Sequence, residues 1–253
     1  MAVPNEFAGI LLGLGVGVVL GLLGGGGSIL AVPIFLYVFQ VPAKPAIAMS
    51  LAVVSLSAFV GFLGHWRQGS VNLRIGLPFG VLAMASAFAT ARVSHLVPEA
   101  VQLSLFAAFA FTAAIVMLVD SLRTPAAGPP ARPMQLTPMV GLEALGVGAL
   151  TALIGAGGGF LIVPALVYLA GVPMKEAVGS SLLIITLNAL SGFAGYIGQV
   201  EIDWRLVGSF TGVAAVGALF GTRLNRRVSQ VRIKQGFAIL ILALGSYLLL
   251  RRI

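Results

Sequence analysis

Long apolar stretches separated by short polar segments run through the whole chain. A helix of roughly 20 residues crosses a hydrocarbon core of about 30 Å. The stretches are continuous and do not alternate with a period of two, so they predict helices and not a membrane β-barrel. The predicted spans are 7–39, 46–64, 75–91 and 100–119 in the first half, and 139–170, 177–197, 206–222 and 236–250 in the second.

The first stretch of each half, about 32 residues long, exceeds one ordinary span and contains a run of glycines. Glycine in a helix interior costs about 1 kcal/mol relative to alanine. Each stretch is therefore predicted to form two helical pieces joined by an unwound turn, which survives inside a membrane only where protein or a wet cavity surrounds it. The runs are Gly24 to Ser28 and Gly155 to Gly159.

Composition narrows the class of protein. Hydrophobic residues make up 59% of the chain and charged residues 9%, with a mean hydropathy of +1.08, whereas soluble domains carry about 25% charge. The net charge of +8 is explained by Lys and Arg in short loops, as the positive-inside bias requires, so no nucleic-acid partner is expected. We expect the densest basic cluster to lie in the cytoplasm; it comprises Arg223, Arg226, Arg227, Arg232 and Lys234.

The chain contains an internal repeat with an offset of 131 residues. Positions 14–107 align without a gap with positions 145–238, and 32 of the 94 pairs are identical. A shared apolar composition alone gives roughly a tenth. A doubled apolar unit with an interrupted first segment is typical of secondary transporters whose substrate site lies between the repeats. The informative matches are Gly24/Gly155, Gly26/Gly157, Gly27/Gly158, Pro33/Pro164, Pro42/Pro173, Lys44/Lys175, Ser50/Ser181, Gln68/Gln199, Arg74/Arg205 and Arg92/Arg223.

The repeat divides the chain into three parts. Residues 1–120 form the first transmembrane repeat and 139–253 the second. Residues 121–138 contain five prolines, which excludes a membrane helix and predicts an extended linker.

The path of the broken segment decides how the repeats relate. If it crosses the membrane, the repeats are parallel; if it returns to its starting side, each half has three full crossings and the repeats are inverted. The inverted arrangement puts 10 Lys and Arg inside and 5 outside, against 8 and 7 for the parallel one. The sequence thus predicts an all-α integral membrane protein with two helical repeats, each a glycine-broken first segment plus three further spans, and favours inversion.

The glycine runs are the first candidate binding site. Exposed backbone N–H groups and the positive end of a half-helix attract a small anion without a buried cation. The alternative is close helix packing, which needs glycine on one face only. The predicted substrate-binding residues are Gly24, Gly25, Gly26, Gly27, Ser28, Ser50, Ser57, Gly155, Gly157, Gly158, Gly159, Ser181 and Asn188.

Ser50, Ser57, Ser181 and Asn188 belong to two matching small and polar stripes. The stripes are Ala46, Ser50, Ser57, Gly61, Gly64 and Gln68, and Ala177, Ser181, Asn188, Gly192, Gly195 and Gln199. Each stripe occupies one helix face, which must contact protein or water. Helix packing and a solute pathway explain the stripes equally well.

Residues near the predicted span ends are candidates for a gate or vestibule: Gln68, Gln199, Arg74 and Arg205. Snorkelling to the headgroups is the alternative for the arginines, as it is for Lys44 and Lys175. The unmatched His65 and His95 are interpreted as structural loop residues.

Several chemistries are missing from the sequence. No Asp, Glu or Lys occupies a span centre, and there is no cysteine, metal-ligand motif, paired carboxylate or serine–base arrangement. No enzyme activity, metal or cofactor is expected. An anion or neutral-solute pathway remains, with the lipid bilayer and a small solute as partners, and self-association is left open.

Two pairs of segments resemble the TauE/SafE family of bacterial membrane permeases. They are GLLGGGGSILAVP (21–33) with GAGGGFLIVP (155–164), and KPAIAMS (44–50) with KEAVGSS (175–181). The resemblance covers nearly the whole chain outside the linker. It implies a multi-pass inner-membrane transporter of sulfite or organosulfur anions such as sulfoacetate. Ala156 interrupts the second glycine run, which predicts unequal half-sites.

The resulting hypothesis is an exporter of a small sulfur-containing anion that works by alternating access. The two glycine turns face each other and bind the anion through backbone N–H groups, Ser50 and Ser181, while one half rocks against the other. The alternatives are a passive anion channel and a membrane scaffold without transport.

Overall fold

A computed structural model describes residues 6–122, 138–155, 157–159, 162–163, 166 and 171–225. These residues contain seven long helices and no strand. The predicted span 236–250, residues 123–137 of the linker, and four of the five basic-cluster residues lie outside the described ranges. The helices are α1 (Glu6–Leu23), α2 (Ala43–Trp66), α3 (Leu73–Val93), α4 (Glu99–Leu122), α5 (Pro138–Ile154), α6 (Met174–Tyr196) and α7 (Trp204–Leu224).

Four of these helices are long and apolar enough to cross a membrane, namely α2, α3, α6 and α7. α1 and α5 supply shorter apolar helices. The prediction of a multi-pass helical membrane protein is therefore confirmed. The helices extend two or three residues beyond most predicted span ends, because helical hydrogen bonding continues past the last apolar residue.

The first broken segment consists of two helical pieces, as predicted. α1 ends at Leu23, and a second helical run begins with a 3-10 helix, Gly26–Leu30. This run continues through one α-turn to a π-turn, Ile34–Val38. Pro42 then precedes α2, where a missing N–H is tolerated because the first helical donors have no partner within the helix.

α1, α2 and α7 form what we call the first helix group. A methyl group on Gly17 or Gly21 of α1 would overlap the carbonyl oxygen of Ala214 or Ala218 of α7, so the two backbones touch. Residue numbers rise together along this contact, which makes α1 and α7 parallel. α2 packs parallel to α7 in the same way, with Gly61 facing Ala218 and Gly64 facing Thr222. Small residues permit this close approach.

α3, α5 and α6 form the second helix group. A methyl group on Gly148 of α5 would overlap the Ala83 carbonyl of α3. Gly76 of α3 faces Leu183 of α6, and Gly80 faces Leu187, so α3 and α6 are also parallel. The Gly148–Ala83 contact lies 131 residues from the Gly17–Ala214 contact at both partners.

The two groups meet along α2 and α6, which run antiparallel. Gly61 of α2 faces Leu182 near the start of α6, while Gly192 near the end of α6 faces Leu51. Each group combines helices from both sequence halves. The halves are therefore interlocked and do not form separate bodies.

Candidate functional site

Gly24 and Gly155 end α1 and α5 in the left-handed backbone conformation. Their φ angles are +69° and +75°. Each amide closes the last helical turn, with Gly24 N donating to Leu20 O at 2.9 Å and Gly155 N donating to Thr151 O at 2.8 Å. A left-handed glycine after the last helical residue is a common helix ending, because a side chain there is strained.

A serine from the opposite half holds each of these glycines. Ser50 of α2 donates from Oγ to the Gly155 carbonyl at 2.8 Å, and Ser181 of α6 donates to the Gly24 carbonyl. Both serines are fully buried. Each Oγ also lies 2.8 Å from the carbonyl three residues earlier, so its single hydrogen is shared between two acceptors. These reciprocal bonds join the first helix group to the second.

The two glycine breaks touch each other between α2 and α6. A methyl group on Gly25 would overlap the Cα of Gly159. The Cβ position of Gly157 lies 2.8 Å from Val54 Cγ1 and 3.1 Å from Ser28 Cβ. Val54 is near the middle of α2, so this contact lies at half the depth of that helix. The backbone of one break thus forms part of the wall around the other.

Ser28 and Ser57 have different roles in the first half. Ser28 Oγ donates to the Gly25 carbonyl at 2.7 Å, which closes the first turn after the break. Ser57, fully buried one turn beyond Val54, has an Oγ without a hydrogen-bond partner among the described atoms. An unpaired buried hydroxyl is costly, so Ser57 is available to a ligand or water.

Asn188 corresponds to Ser57 in the 131-residue register. It is fully buried, and its Nδ2 donates to Thr151 Oγ1 at 2.8 Å. Its Oδ1 has no partner within the part of the chain that the structure describes. Thr151 Oγ1 in turn lies 2.5 Å from the Cβ position of Gly158, which connects Asn188 to the second glycine break.

The gate candidates lie away from the glycine breaks, at opposite ends of the helix assembly. Gln68 and exposed Arg74 flank the α2–α3 loop, which contacts the start of α6 through a 2.8 Å bond from Asn72 N to Ser180 Oγ. Gln199 follows the end of α6, and its Nε2 donates to Ala91 O near the end of α3 at 3.3 Å. The proposed gate role of these residues remains a prediction, and so does that of exposed Arg205 at the start of α7.

Sequence reasoning missed the structural role of His65. His65 belongs to the last turn of α2, is buried, and its Nε2 lies 3.1 Å from the Gly21 carbonyl. It is not a loop residue, because α2 continues past the predicted end. Tyr196, its counterpart in the repeat, donates to Ala152 O at 3.0 Å. The shared register of donors and acceptors could have revealed the pair.

The interior of the site is polar but nearly uncharged. None of the buried polar side chains in the described ranges is Lys, Arg, Asp or Glu. Those ranges also contain no cluster of three His, Cys, Asp or Glu suited to a metal ion. The groups available to a solute are therefore backbone amides, hydroxyls and one carboxamide.

Comparison with known proteins gives a consistent family. The model of the family described as "Sulfite exporter TauE/SafE" matches residues 9–248. A Xylella fastidiosa protein named "Probable membrane transporter protein" is 32% identical over 243 residues, covering 93% of this chain and 92% of the relative. "Probable membrane transporter protein YdhB" of Bacillus subtilis is 26% identical over 220 residues, covering 86% and 89%. No solved structure matches.

Proposed function

This chain belongs to the sulfite exporter TauE/SafE family of membrane transporters, and we propose that it exports a small sulfur-containing anion across the bacterial inner membrane. Sulfite and organosulfonates are the substrate class. The observation that carries the proposal is the contact between the two glycine breaks at half the depth of α2, in surroundings without a buried Lys, Arg, Asp or Glu among the described residues.

Backbone amides are the proposed main ligands of the anion. Glycine lets the main chain approach a ligand closely, and amides next to a half-helix favour negative charge without the desolvation cost of a buried cation. Ser50 and Ser181 already donate to glycine carbonyls. Their hydrogens reach an anion only when those bonds open. Binding and separation of the helix groups are therefore linked in this proposal.

We propose that the halves are inverted repeats and that the helix groups are the moving bodies. Support for inversion comes from the antiparallel α2 and α6, which correspond in the 131-residue register. α1 and α2 are both parallel to α7, which supports a return of the broken segment to its starting side. Rocking of one sequence half against the other would break the α1–α7 and α3–α5 contacts. Motion between the helix groups leaves those contacts intact.

Complete burial of the site favours a carrier over an open pore. Ser28, Ser50, Ser57, Ser181 and Asn188 are all fully buried, as expected for an occluded state between two accessible ones. A channel would show conductance that does not saturate like a carrier. A scaffold would show neither transport nor stabilisation by an oxyanion.

The test is flux of radiolabelled sulfite and methanesulfonate in proteoliposomes. We expect saturable, anion-selective transport in the wild type and none in the Gly26→Val/Gly157→Val double variant. The matched control is Gly15→Val/Gly146→Val, because a side chain at either position meets open space. Absence of saturable flux in folded wild-type protein, or equal flux in the two double variants, would contradict the proposal.

A further inference from the structure

The polar lining of the site is unequal in the two halves. In the second half, Thr151 follows one turn before the glycine break and contacts both Asn188 and the Gly158 position. In the first half, the 131-residue register puts Leu20 where Thr151 stands and Ser57 where Asn188 stands. Leu20 cannot form a hydrogen bond through its side chain, which accounts for the unpaired Ser57 hydroxyl.

The Asn188–Thr151 pair leaves a polar atom unused in either orientation of the amide. With Nδ2 on Thr151 Oγ1, the unused atom is Oδ1. After a half-turn of the carboxamide, the Thr151 hydroxyl donates to Oδ1 and the NH₂ group becomes the free donor. Both residues are at most 1% exposed, so bulk water does not satisfy that atom. The half-turned state offers two N–H donors to an oxyanion.

We propose that Asn188 binds an oxygen of the transported oxyanion and that Thr151 is the positioning residue that orients its carboxamide. This inference rests on the proposed function and makes the second half the main determinant of specificity. A ligand oxygen that accepts from Nδ2 completes the carboxamide's hydrogen bonding while Thr151 holds the other end. Chloride, which lacks separate oxygens at fixed angles, gains less from an oriented donor pair than sulfite does.

The test measures the Kd of sulfite and of chloride for purified full-length protein in lipid nanodiscs. Thr151→Val keeps the shape of the side chain but removes the hydroxyl. We expect it to weaken sulfite binding about tenfold, with chloride binding changed less than twofold, so that the preference for sulfite falls. Thr151→Ser retains the hydroxyl and should restore most of that preference. Leu20→Thr is the mirror control in the first half and should leave Thr151-dependent selectivity in place.

The outcomes separate this inference from the proposed function. Unchanged sulfite and chloride Kd values in Thr151→Val overturn the role of Thr151, even when the wild type transports sulfite. An equal loss in Thr151→Val and Thr151→Ser, for both anions, indicates a structural effect and also overturns it. Should Thr151→Val fail to fold, Thr151→Ala and Asn188→Ser report on the same selectivity ratio. A wild type that binds neither sulfite nor methanesulfonate contradicts the proposed function itself.

Discussion

At the first break the chain leaves α1 through Gly24 and enters a 3-10 helix at Gly26, whereas at the second break Gly157 and Gly158 both adopt left-handed conformations with φ near +65°. The frame is nonetheless common to both. Each break begins at a left-handed glycine whose carbonyl accepts from a serine of the other half. The comparison teaches that the contacts joining the helix groups are symmetric, while the turn geometry and polar lining differ.

The largest expected effect comes from filling the contact between the breaks. Gly25→Ala or Gly159→Ala places a methyl group on the opposing backbone, which cannot move without separating the helix groups. We expect each to lower the free energy of unfolding by about 3 kcal/mol or more and to abolish sulfite flux, because overpacking of backbone against backbone is poorly relieved. Thermal unfolding in detergent and proteoliposome flux measure the two effects.

The control for that experiment lies in the same helices that precede the breaks. Gly15→Ala and Gly146→Ala add a methyl group in open space and should leave flux unchanged. A gain of up to about 1 kcal/mol is expected from improved helix propensity. If Gly25→Ala matches this control, the backbone contact between the breaks does not matter for folding or transport.

The serine bonds give an intermediate effect that tests their symmetry. Ser50→Ala and Ser181→Ala each leave a buried glycine carbonyl with one donor fewer. We expect each to destabilise the protein by about 1–2 kcal/mol, with similar values for the two variants. In the double variant, a loss larger than the sum indicates that the two bonds hold one interface together. Unequal single losses would break the proposed equivalence of the two breaks.

The lining residues should give the smallest effect and opposite signs. Ser57→Ala removes a buried hydroxyl without a partner and should leave stability unchanged or raise it by about 1 kcal/mol. Asn188→Ala removes the bond to Thr151 and opens a gap, so a loss of about 1–2 kcal/mol is expected. Unfolding measurements on both variants decide the sign. A matching loss in Ser57→Ala would mean that the two linings are alike.

Much of this arrangement was predictable from the repeat. The glycine runs predicted the break after α1, and the matched serines predicted a paired site. The sequence did not reveal that Ser50 bonds to Gly155 in the other half and not to Gly24, because a repeat identifies equivalent positions but not which of them are neighbours. That choice follows from the packing of α2 against α6.

The remaining differences depend on local balance. Ala156 interrupted the second run and predicted inequality, but not a 3-10 helix in one half and successive left-handed glycines in the other. Glycine permits both conformations at similar cost, so neighbouring contacts decide between them. The tie from His65 to Gly21 escaped notice for a related reason, since its counterpart Tyr196 shares a hydrogen-bonding role but not a residue type.

The interlocking of the halves also bears on the order in which the protein is made. The glycine face of α1 emerges among the first residues synthesised, yet the surface that covers it belongs to α7, which begins at Trp204. Ser50 likewise precedes its acceptor Gly155 by 105 residues. Insertion of individual helices into the bilayer therefore comes well before their final packing, and lipid must cover these small-residue faces until the second half of the chain arrives.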